Sequence, residues 1–247
     1  MKAVIVAGGE GTRMRGVLGA APKALIEIES KPLLEHQASW LRRWGFSEIH
    51  LCLGFGARAI EERFGNGGRL GVRFLYHVER SPLGTAGAVG RLSRDMGGTE
   101  DLLVAYGDVF SDMDLRALVR FHEGRSGGLA SLVVFHSDHP QDSDLALLQE
   151  ERIVSIYRKG SSGGSSPAGE EAALAAVWIV RPRIFEFAPE RPLLDFGRDL
   201  FPEALRRGEI LWGYRSRELL ADLGTPERLE EFKRRRFGIF GKKSYDP

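Results

Sequence analysis

The chain has 247 residues, 43% of them hydrophobic and 28% charged, a composition typical of a globular protein with a substantial buried core. Its 35 lysines and arginines balance 34 aspartates and glutamates, so the net charge of +1 gives no reason to expect binding to nucleic acid or to an anionic membrane. The sequence contains no run of about 18 apolar residues and therefore predicts no membrane span. The apolar run near the N-terminus is too short for the apolar segment of a signal peptide. We therefore expect a cytoplasmic protein without a membrane span.

The first half of the chain alternates short apolar runs with amphipathic stretches, which predicts βαβ units. Residues 2–7, KAVIVA, predict the first strand, and residues 32–44 carry apolar side chains at helical spacing, with Pro32 suited to the first turn and Gly45 to the end. The sequence next predicts strands at 48–54 and 72–78 with a helix at 56–65 between them, a helix at 85–96, and a strand at 101–108 that ends in a carboxylate.

The second half predicts a more antiparallel group of strands. Three apolar runs at 128–136, 143–150 and 152–159 are joined by connections too short for a crossover helix. Residues 160–171 are rich in Gly, Ser and Pro and predict a mobile surface loop. We expect one α/β domain over 1–236, doubly wound and Rossmann-like, with a mixed, mostly parallel sheet, followed by a basic tail at 237–247.

Two features that could carry chemistry have simpler interpretations. Cys52 is the only cysteine, which excludes a disulfide within the chain, and its apolar neighbours predict a buried strand thiol rather than a nucleophile. The stretch HSDH at 136–139 has the residue types of a metal site but no further ligands nearby, so we expect an exposed loop.

The stretch AGGEGTR at 7–13 directly follows the first strand and resembles a phosphate-binding loop. A Walker A loop would need Lys and Ser or Thr after its last glycine, where Val17 and Leu18 stand after Gly16. A dinucleotide fingerprint would need a third glycine where Met14 stands. A glycine-rich turn with two cations, Arg13 and Lys23, remains. Such a loop can approach a polyphosphate closely, or it can be a flexible surface turn.

Four blocks, taken in order, resemble the sugar-1-phosphate nucleotidyltransferases. They are VAGGEGTRM followed by PKAL at 6–25, SPLGTAGAV at 81–89, YGD at 106–108, and DLGTPERL at 222–229. Within that family, the pattern is most similar to the heptose-1-phosphate and mannose-1-phosphate guanylyltransferases. The resemblance implies transfer of a nucleotidyl group from an NTP, with GTP as the preferred nucleotide, to a sugar 1-phosphate, with release of pyrophosphate.

The resemblance also assigns roles to individual residues. It implies that Arg13, with the backbone of the loop, holds the β- and γ-phosphates, and that Lys23 lies where the α-phosphate meets the incoming phosphate. Asp108 and Asp222 would bind Mg²⁺, whose hard character suits carboxylate and phosphate oxygens. Taken singly, Asp108 could be a turn residue and Asp222 a helix cap. The implied nucleotide-binding residues are Gly8, Gly9, Gly11, Thr12, Arg13, Glu79, Gly84 and Thr85. Glu79 is a candidate contact for the base or ribose, or equally a solvated loop carboxylate.

The acceptor side of the resemblance is altered. Lys159 matches the lysine of the family's Glu-Lys-Pro block and would contact the sugar phosphate, but Arg158 replaces the glutamate and Gly160 the proline. Residues 174–178, LAAVW, lack the asparagine that contacts the sugar in many relatives. A UTP-, CTP- or dTTP-dependent enzyme, a non-sugar phosphorylated acceptor, and a regulatory subunit that binds nucleotide sugars therefore remain alternatives. The sequence leaves the oligomeric state open, a homo-oligomer included.

Overall fold

A computed structural model describes residues 1–14, 16, 19, 21–136, 144–158 and 169–237. Its strands are β1 Lys2–Ala7, β2 Glu27–Ile28, β3 Lys31–Pro32, β4 Glu48–Leu53, β5 Arg73–Val78, β6 Leu102–Tyr106, β7 Val109–Ser111, β8 Gly128–Phe135, β9 Asp144–Gln149, β10 Arg152–Arg158, β11 Glu170–Val180, β12 Ile210–Arg215 and β13 Leu220–Asp222. The α-helices described in full are α1 Leu33–Arg43, α2 Ala57–Phe64, α3 Thr85–Asp95, α4 Leu115–Glu123, α5 Phe201–Arg206 and α6 Pro226–Phe237. Within these described ranges, no helix is long and apolar enough to cross a membrane.

A nine-stranded sheet in the order β5-β4-β1-β6-β11-β8-β12-β10-β9 forms the centre of the fold. Strands β5, β4, β1 and β6, which come first in this order, run parallel to one another. Strand β11 is antiparallel to both β6 and β8, and β10 is antiparallel to β12 and β9, whereas β12 is parallel to β8. The prediction of an α/β fold with a mixed sheet is confirmed, with the antiparallel pairings in the second half of the chain.

Helices cover both faces of this sheet, as a doubly wound fold requires. The alternating side chains of β1 show the division, because Ala3 and Ile5 pack with α1, α2 and α4, whereas Val4 packs with α3 and α5 on the other face. The predicted helix at 32–44 is α1, and its apolar face is buried on the sheet. Pro32 stands just before the helix with φ −58° and ψ 145°, an extended conformation suited to helix entry.

The predicted surface loop at 160–171 is wrong at its C-terminal end. Strand β11 begins at Glu170, which pairs with Leu148 of β9, and Glu171 pairs with Leu147. These ladder hydrogen bonds hold two polar residues in a strand that composition alone placed in a loop. The remainder of that loop, 160–168, lies outside the described residues, as do 137–139 of the HSDH stretch and 238–247 of the tail; His136 is exposed.

Cys52 is the free, buried strand thiol that the sequence predicts. Its side chain is 1% exposed within β4, and burial, assisted by the nearby Glu79 carboxylate, raises the pKa of the thiol to about 12.

We expect native Cys52 to resist modification by a thiol-specific disulfide reagent at pH 8, because the reactive species is the thiolate and an exposed cysteine has a pKa of about 8.5. Labelling should become complete only when denaturant unfolds the chain. The release of the coloured thiol, followed by absorbance with and without denaturant, checks this. Rapid stoichiometric labelling of the folded protein would contradict the buried assignment.

Candidate functional site

The glycine loop after β1 packs between the end of β4 and Lys23. A Cβ atom on Gly8 would lie 3.3 Å from the backbone nitrogen of Gly54 and 3.4 Å from Oε1 of Glu79, and one on Gly11 would lie 3.2 Å from Cγ of Lys23. Gly11 also has a φ of +61°, in the left-handed region that favours glycine. Glycines at these two positions therefore let the loop lie close to its neighbours.

Two short 3₁₀ helices orient the two predicted catalytic cations. In Thr12–Met14 the side chain of Met14 is fully buried, which anchors the turn, while Thr12 and Arg13 are exposed. Arg13 lines a cavity of about 230 Å³ at the carboxyl end of the parallel strands. In the second short helix, Lys23–Leu25, Ala24 is buried, so that Lys23 points to the same region as Asp108.

Lys23, Asp108 and Asp222 meet at one point. The ammonium Nζ of Lys23 lies 2.9 Å from Oδ2 of Asp108. A Cβ atom added to Gly224 would stand 2.7 Å from Oδ1 of Asp222, 3.1 Å from Oδ2 of Asp108 and 3.3 Å from Nζ of Lys23. Three groups predicted from distant parts of the sequence are therefore neighbours, and Gly224 leaves room for them.

Secondary structure explains why the two carboxylates are adjacent. Asp108 follows β6, and the short strand β7 pairs with β13 so that Val109 lies opposite Asp222. The backbone nitrogen of Leu223 donates to the carbonyl of Asp108 at 2.8 Å. The turn between β6 and β7 is also held by the buried Gln37 of α1, whose amide donates to the carbonyls of Tyr106 and Val109 at 2.7 and 2.8 Å.

The helix-cap interpretation of Asp222 does not fit the structure. Helix α6 begins at Pro226, and the hydroxyl of Thr225 accepts the backbone N–H of Arg228, so Thr225 is the cap. Asp222 lies in β13, where Oδ1 accepts the N–H of Gly224 at 2.7 Å and Oδ2 pairs with the guanidinium of Arg228. Its carboxylate thus faces Asp108 from a strand.

The two facing carboxylates repel each other, and each is paired with a cationic side chain, Asp108 with Lys23 and Asp222 with Arg228. Partial desolvation in the cleft and the charge of Asp108 raise the pKa of Asp222, while Arg228 and Lys23 oppose that shift. Among the described residues, no three His, Cys, Asp or Glu side chains come together as a metal cage. Two carboxylate donors beside an open cavity suit a hard divalent ion that takes its other oxygens from water and substrate phosphates.

Glu79 lies on the other side of the glycine loop. Its Oε2 accepts the backbone N–H of Leu83 at 2.9 Å, and burial raises the pKa of this half-buried carboxyl although that hydrogen bond and Arg91 lower it. The side chain also lines a second cavity, of about 260 Å³, between β5 and α3. Within the described part of the chain, Oε1 accepts no hydrogen bond, so it can receive one from a ligand.

Gly84 and Thr85 begin α3 and hold the segment after Pro192. Gly84 has a φ of +77°, and a Cβ there would lie 2.5 Å from the carbonyl oxygen of Leu194. That carbonyl accepts the N–H groups of Ala86 and Gly87 at 2.8 and 3.1 Å. The Thr85 hydroxyl donates to Oδ2 of Asp195 at 2.9 Å and accepts the N–H of Phe196 at 3.1 Å. The hydroxyl of Thr85 is thereby engaged within the protein.

We expect Thr85→Val to destabilise the fold, because valine keeps the branched shape but leaves Oδ2 of Asp195 without this donor. The loss should be about 1–3 kcal/mol, which in a domain of this size lowers Tm by about 2–12 °C. Thr85→Ser, which retains the hydroxyl, is the matched control, and calorimetry or circular dichroism measures both. Equal melting temperatures for the valine variant and the wild type would show that the hydroxyl is not structural.

The cavity that contains Arg13, Asp108 and Asp222 continues toward the antiparallel strands. Its floor is formed by Tyr106 and Trp178, whose rings contact edge to face at 5.0 Å. Its remaining lining residues are Asp144, Arg158, Leu174, Ala176, Asp195, Gly197 and Arg198. Lys159, the predicted acceptor ligand, lies outside the described residues.

The altered LAAVW segment lies in this wall. The pairing of β11 with β8 shifts between Leu174 and Trp178, which marks a bulge, and Ala176 within it has a φ of +53°. A non-glycine residue in the left-handed region costs roughly 1–2 kcal/mol, so the strand carries local strain where it lines the cavity.

The sequence analysis did not identify most of the residues in this wall of the cavity, which we call the acceptor wall after the acceptor side of the family pattern: Asp144, Arg158, Asp195 and Arg198. Asp144 begins an apolar strand, and Asp195 and Arg198 belong to DFGRDL, a stretch that matches no motif. The one usable signal was the replacement of glutamate by Arg158, which changed the sign of a charge in an otherwise matching region. The cavity gathers these residues only because β9, β10 and the segment after Leu194 converge.

A family model described as Nucleotidyl transferase matches residues 2–236. The chain belongs to this family. The resemblance noted in the four sequence blocks is therefore confirmed. Three of these blocks contribute Arg13, Tyr106, Asp108 and Asp222 to the lining of the cavity.

Curated relatives include enzymes for different bases. The chain is 26% identical over 226 residues to the mannose-1-phosphate guanylyltransferase of Mycobacterium tuberculosis, an alignment that covers 91% of this chain but 61% of that protein. It is 30% identical over 234 residues to the N-acetylmuramate α-1-phosphate uridylyltransferase of Neisseria meningitidis serogroup B, covering 94% of this chain and 96% of that protein. The chain thus spans about three fifths of the first relative and nearly all of the second.

Solved structures agree on the architecture. HddC from Yersinia pseudotuberculosis superposes with a TM-score of 0.75 at 22% identity, covering 93% of this chain and 96% of that one. The nucleotidyl transferase fold is therefore shown.

Proposed function

We propose that this protein transfers a nucleotidyl group from an NTP to a sugar 1-phosphate, giving an NDP-sugar and pyrophosphate, with Mg²⁺ as cofactor. The observation that carries the proposal is that Lys23 lies 2.9 Å from Asp108, with Asp222 beside them, at a cavity that Arg13, Asp108 and Asp222 line. Members of the family with related sequences are named for this reaction. Because NTPs are cytosolic metabolites, we also propose that the protein acts in the cytoplasm.

The proposed reaction requires two anions to approach each other. An oxygen of the acceptor phosphate attacks the α-phosphorus of the NTP, and the bond from that phosphorus to the bridging oxygen of the β-phosphate breaks. Two like charges 4 Å apart repel by about 4 kcal/mol at an effective dielectric of 20. Lys23 is placed to neutralise charge where they meet, and Arg13 with the loop backbone to hold the departing β- and γ-phosphates.

The two facing carboxylates are the proposed ligands of the Mg²⁺ ion. Asp108 and Asp222 would hold Mg²⁺ against the phosphate oxygens, where the ion neutralises charge that develops on them. Lys23 orients Asp108 through their hydrogen bond, and Arg228 and the N–H of Gly224 orient Asp222. Both carboxylates therefore have fixed positions before a ligand arrives.

We infer that GTP is the preferred nucleotide, since Glu79 offers a carboxylate at the glycine loop. One edge of guanine presents two neighbouring donors, N1–H and the exocyclic amino group, whereas uracil and thymine present one N–H between two carbonyls. A carboxylate accepts and does not donate, so it favours guanine over these bases. UTP, CTP or dTTP is the alternative, together with a different phosphorylated acceptor, because relatives include a uridylyltransferase.

A regulatory subunit that binds nucleotide sugars without turnover is the second alternative. A binding protein would have little need for two facing carboxylates at a site where desolvation, and after it the charge of Asp108, raises the pKa of Asp222. The proposal of an active enzyme rests on their retention together with Lys23 and Arg13.

The test is a matrix of ATP, GTP, CTP, UTP and dTTP against several sugar 1-phosphates, assayed by pyrophosphate release with Mg²⁺ and with EDTA. Release should require both a divalent ion and a phosphorylated acceptor, and free sugars should not replace the acceptor. Sustained turnover in EDTA, or NTP hydrolysis that ignores the acceptor, would contradict the transferase. Saturable nucleotide-sugar binding without any turnover would identify the regulatory alternative.

A further inference from the structure

The ion pair between Asp144 and Arg158 is a feature of the acceptor wall that the family pattern does not contain. Nε and Nη2 of Arg158 lie 3.0 and 2.9 Å from the same oxygen, Oδ1 of Asp144. Arg158 ends β10 and Asp144 begins the neighbouring β9, where the two residues are also register partners. Their side chains are 44% and 27% exposed, and both line the cavity.

The other oxygen of Asp144 is available to a ligand. Within the described residues, Oδ2 accepts no hydrogen bond, and it lies against Gly197, where a Cβ would stand only 2.7 Å from it. Arg158 on one side and the backbone of Gly197 on the other therefore confine this carboxylate, while the cavity remains open to it. A confined acceptor with a free oxygen is suited to bind a hydroxyl donor.

The surrounding groups indicate which part of a substrate Asp144 would meet. Asp195 is already engaged within the protein, since Oδ2 accepts from Thr85 and Oδ1 accepts two backbone N–H groups. Arg198, on the same rim, forms no side-chain hydrogen bond with any described residue and can meet an acceptor phosphate. Asp144 itself would repel a phosphate or a carboxylate.

We propose that Asp144 is a specificity-determining residue that accepts a hydrogen bond from a hydroxyl of the acceptor sugar, with Arg158 as its positioning residue. This proposal rests on the proposed function. In this arrangement Asp144 on β9 supplies the carboxylate that the family has as a glutamate at position 158 of the neighbouring β10. We therefore expect acceptors that carry an extra negative charge to be poor substrates.

Steady-state kinetics of Asp144→Asn, Arg158→Gln and the double variant test the proposal, with mannose 1-phosphate and glucose 1-phosphate as acceptors. Asp144→Asn should raise the acceptor KM about 10-fold to 100-fold, the range for a hydrogen bond to a charged group, while the nucleotide KM stays within about twofold. Arg158→Gln should raise the acceptor KM less than Asp144→Asn does. In the double variant it should cause no further rise in the acceptor KM, because Arg158 acts through Asp144. Glu62→Gln, which breaks the exposed Arg58–Glu62 pair of α2, is the matched control.

Two further readouts separate recognition from structure. Each analogue in a series of acceptors lacks one hydroxyl of the parent sugar phosphate. One analogue should be a much poorer substrate than its parent for the wild type, whereas Asp144→Asn should use that analogue and the parent equally well. Glucuronic acid 1-phosphate should be disfavoured by the wild type and improve relative to glucose 1-phosphate in Asp144→Asn, because a like charge is removed.

The outcomes distinguish this proposal from the function on which it rests. Turnover with an acceptor KM in Asp144→Asn no different from that in Glu62→Gln would overturn the role of Asp144 alone. A wild-type preference for the acidic acceptor would do the same. No pyrophosphate release with any nucleotide and acceptor would overturn the proposed function and this proposal together.

Discussion

Replacing Lys23 by methionine should reduce the rate of pyrophosphate release by about 10²–10⁴, if its charge mainly stabilises the transition state in which the two phosphates meet. Methionine is the informative choice because the methylene groups of Lys23 pack against Gly11, with Cγ 3.2 Å from the position of a Cβ there. It keeps most of that contact while removing the ammonium that lies 2.9 Å from Asp108. Single-turnover kinetics with saturating nucleotide and acceptor measures the effect on the chemical step.

Two controls sharpen the Lys23 experiment. Lys23→Ala should lose about as much activity as the methionine variant, whereas Lys31→Ala, at an exposed lysine of β3, should change the rate less than about twofold. The melting temperatures of the variants identify any that fail to fold. Near-normal kinetics for a folded Lys23→Met protein would reduce Lys23 to a partner of Asp108 without a catalytic role.

Asp222→Asn should leave the protein folded and reduce turnover by at least about 10²-fold, because an anionic Mg²⁺ ligand is lost. Stability should change by only a few degrees in Tm. The amide oxygen can still accept the N–H of Gly224, and the removal of repulsion from Asp108 offsets the lost pairing with Arg228. The Mg²⁺ dependence of the residual rate should shift to higher concentration.

Asp108→Asn should behave similarly, and the double variant should be far less impaired than the product of the two single effects, since both carboxylates serve one ion. Asp112→Asn, at a partly exposed aspartate 3.9 Å from Arg236, is the matched control for loss of a surface carboxylate. Rates, Tm values and Mg²⁺ titrations for all four variants check the prediction. A folded Asp222→Asn protein with the wild-type rate and Mg²⁺ requirement would rule out the metal assignment.

Most helices and strands could be predicted from the sequence because their signals are local. The apolar spacing in α1 and the short buried runs of β1, β4 and β6 match the periods of their structures, so the doubly wound half follows from pattern alone. The glycine loop, Lys23, Asp108 and Asp222 were also identifiable, since they occur in ordered motif blocks. The beginning of β11 at Glu170 could not be predicted, because pairing with β9 overrides the weak local preference of this polar segment for a loop.

The sequence by itself therefore determined the fold class, the family and the identity of the charged groups around the nucleotide loop. Only the tertiary structure decided what those groups touch. It placed Asp222 in a strand opposite Val109 rather than at a helix cap, engaged the hydroxyl of Thr85 with Asp195, and brought Asp144, Arg158 and Arg198 into one cavity. The physical reason is range: periodicity and capping act over a few residues, whereas these contacts join strands far apart in the chain, whose packing sets which side chains meet.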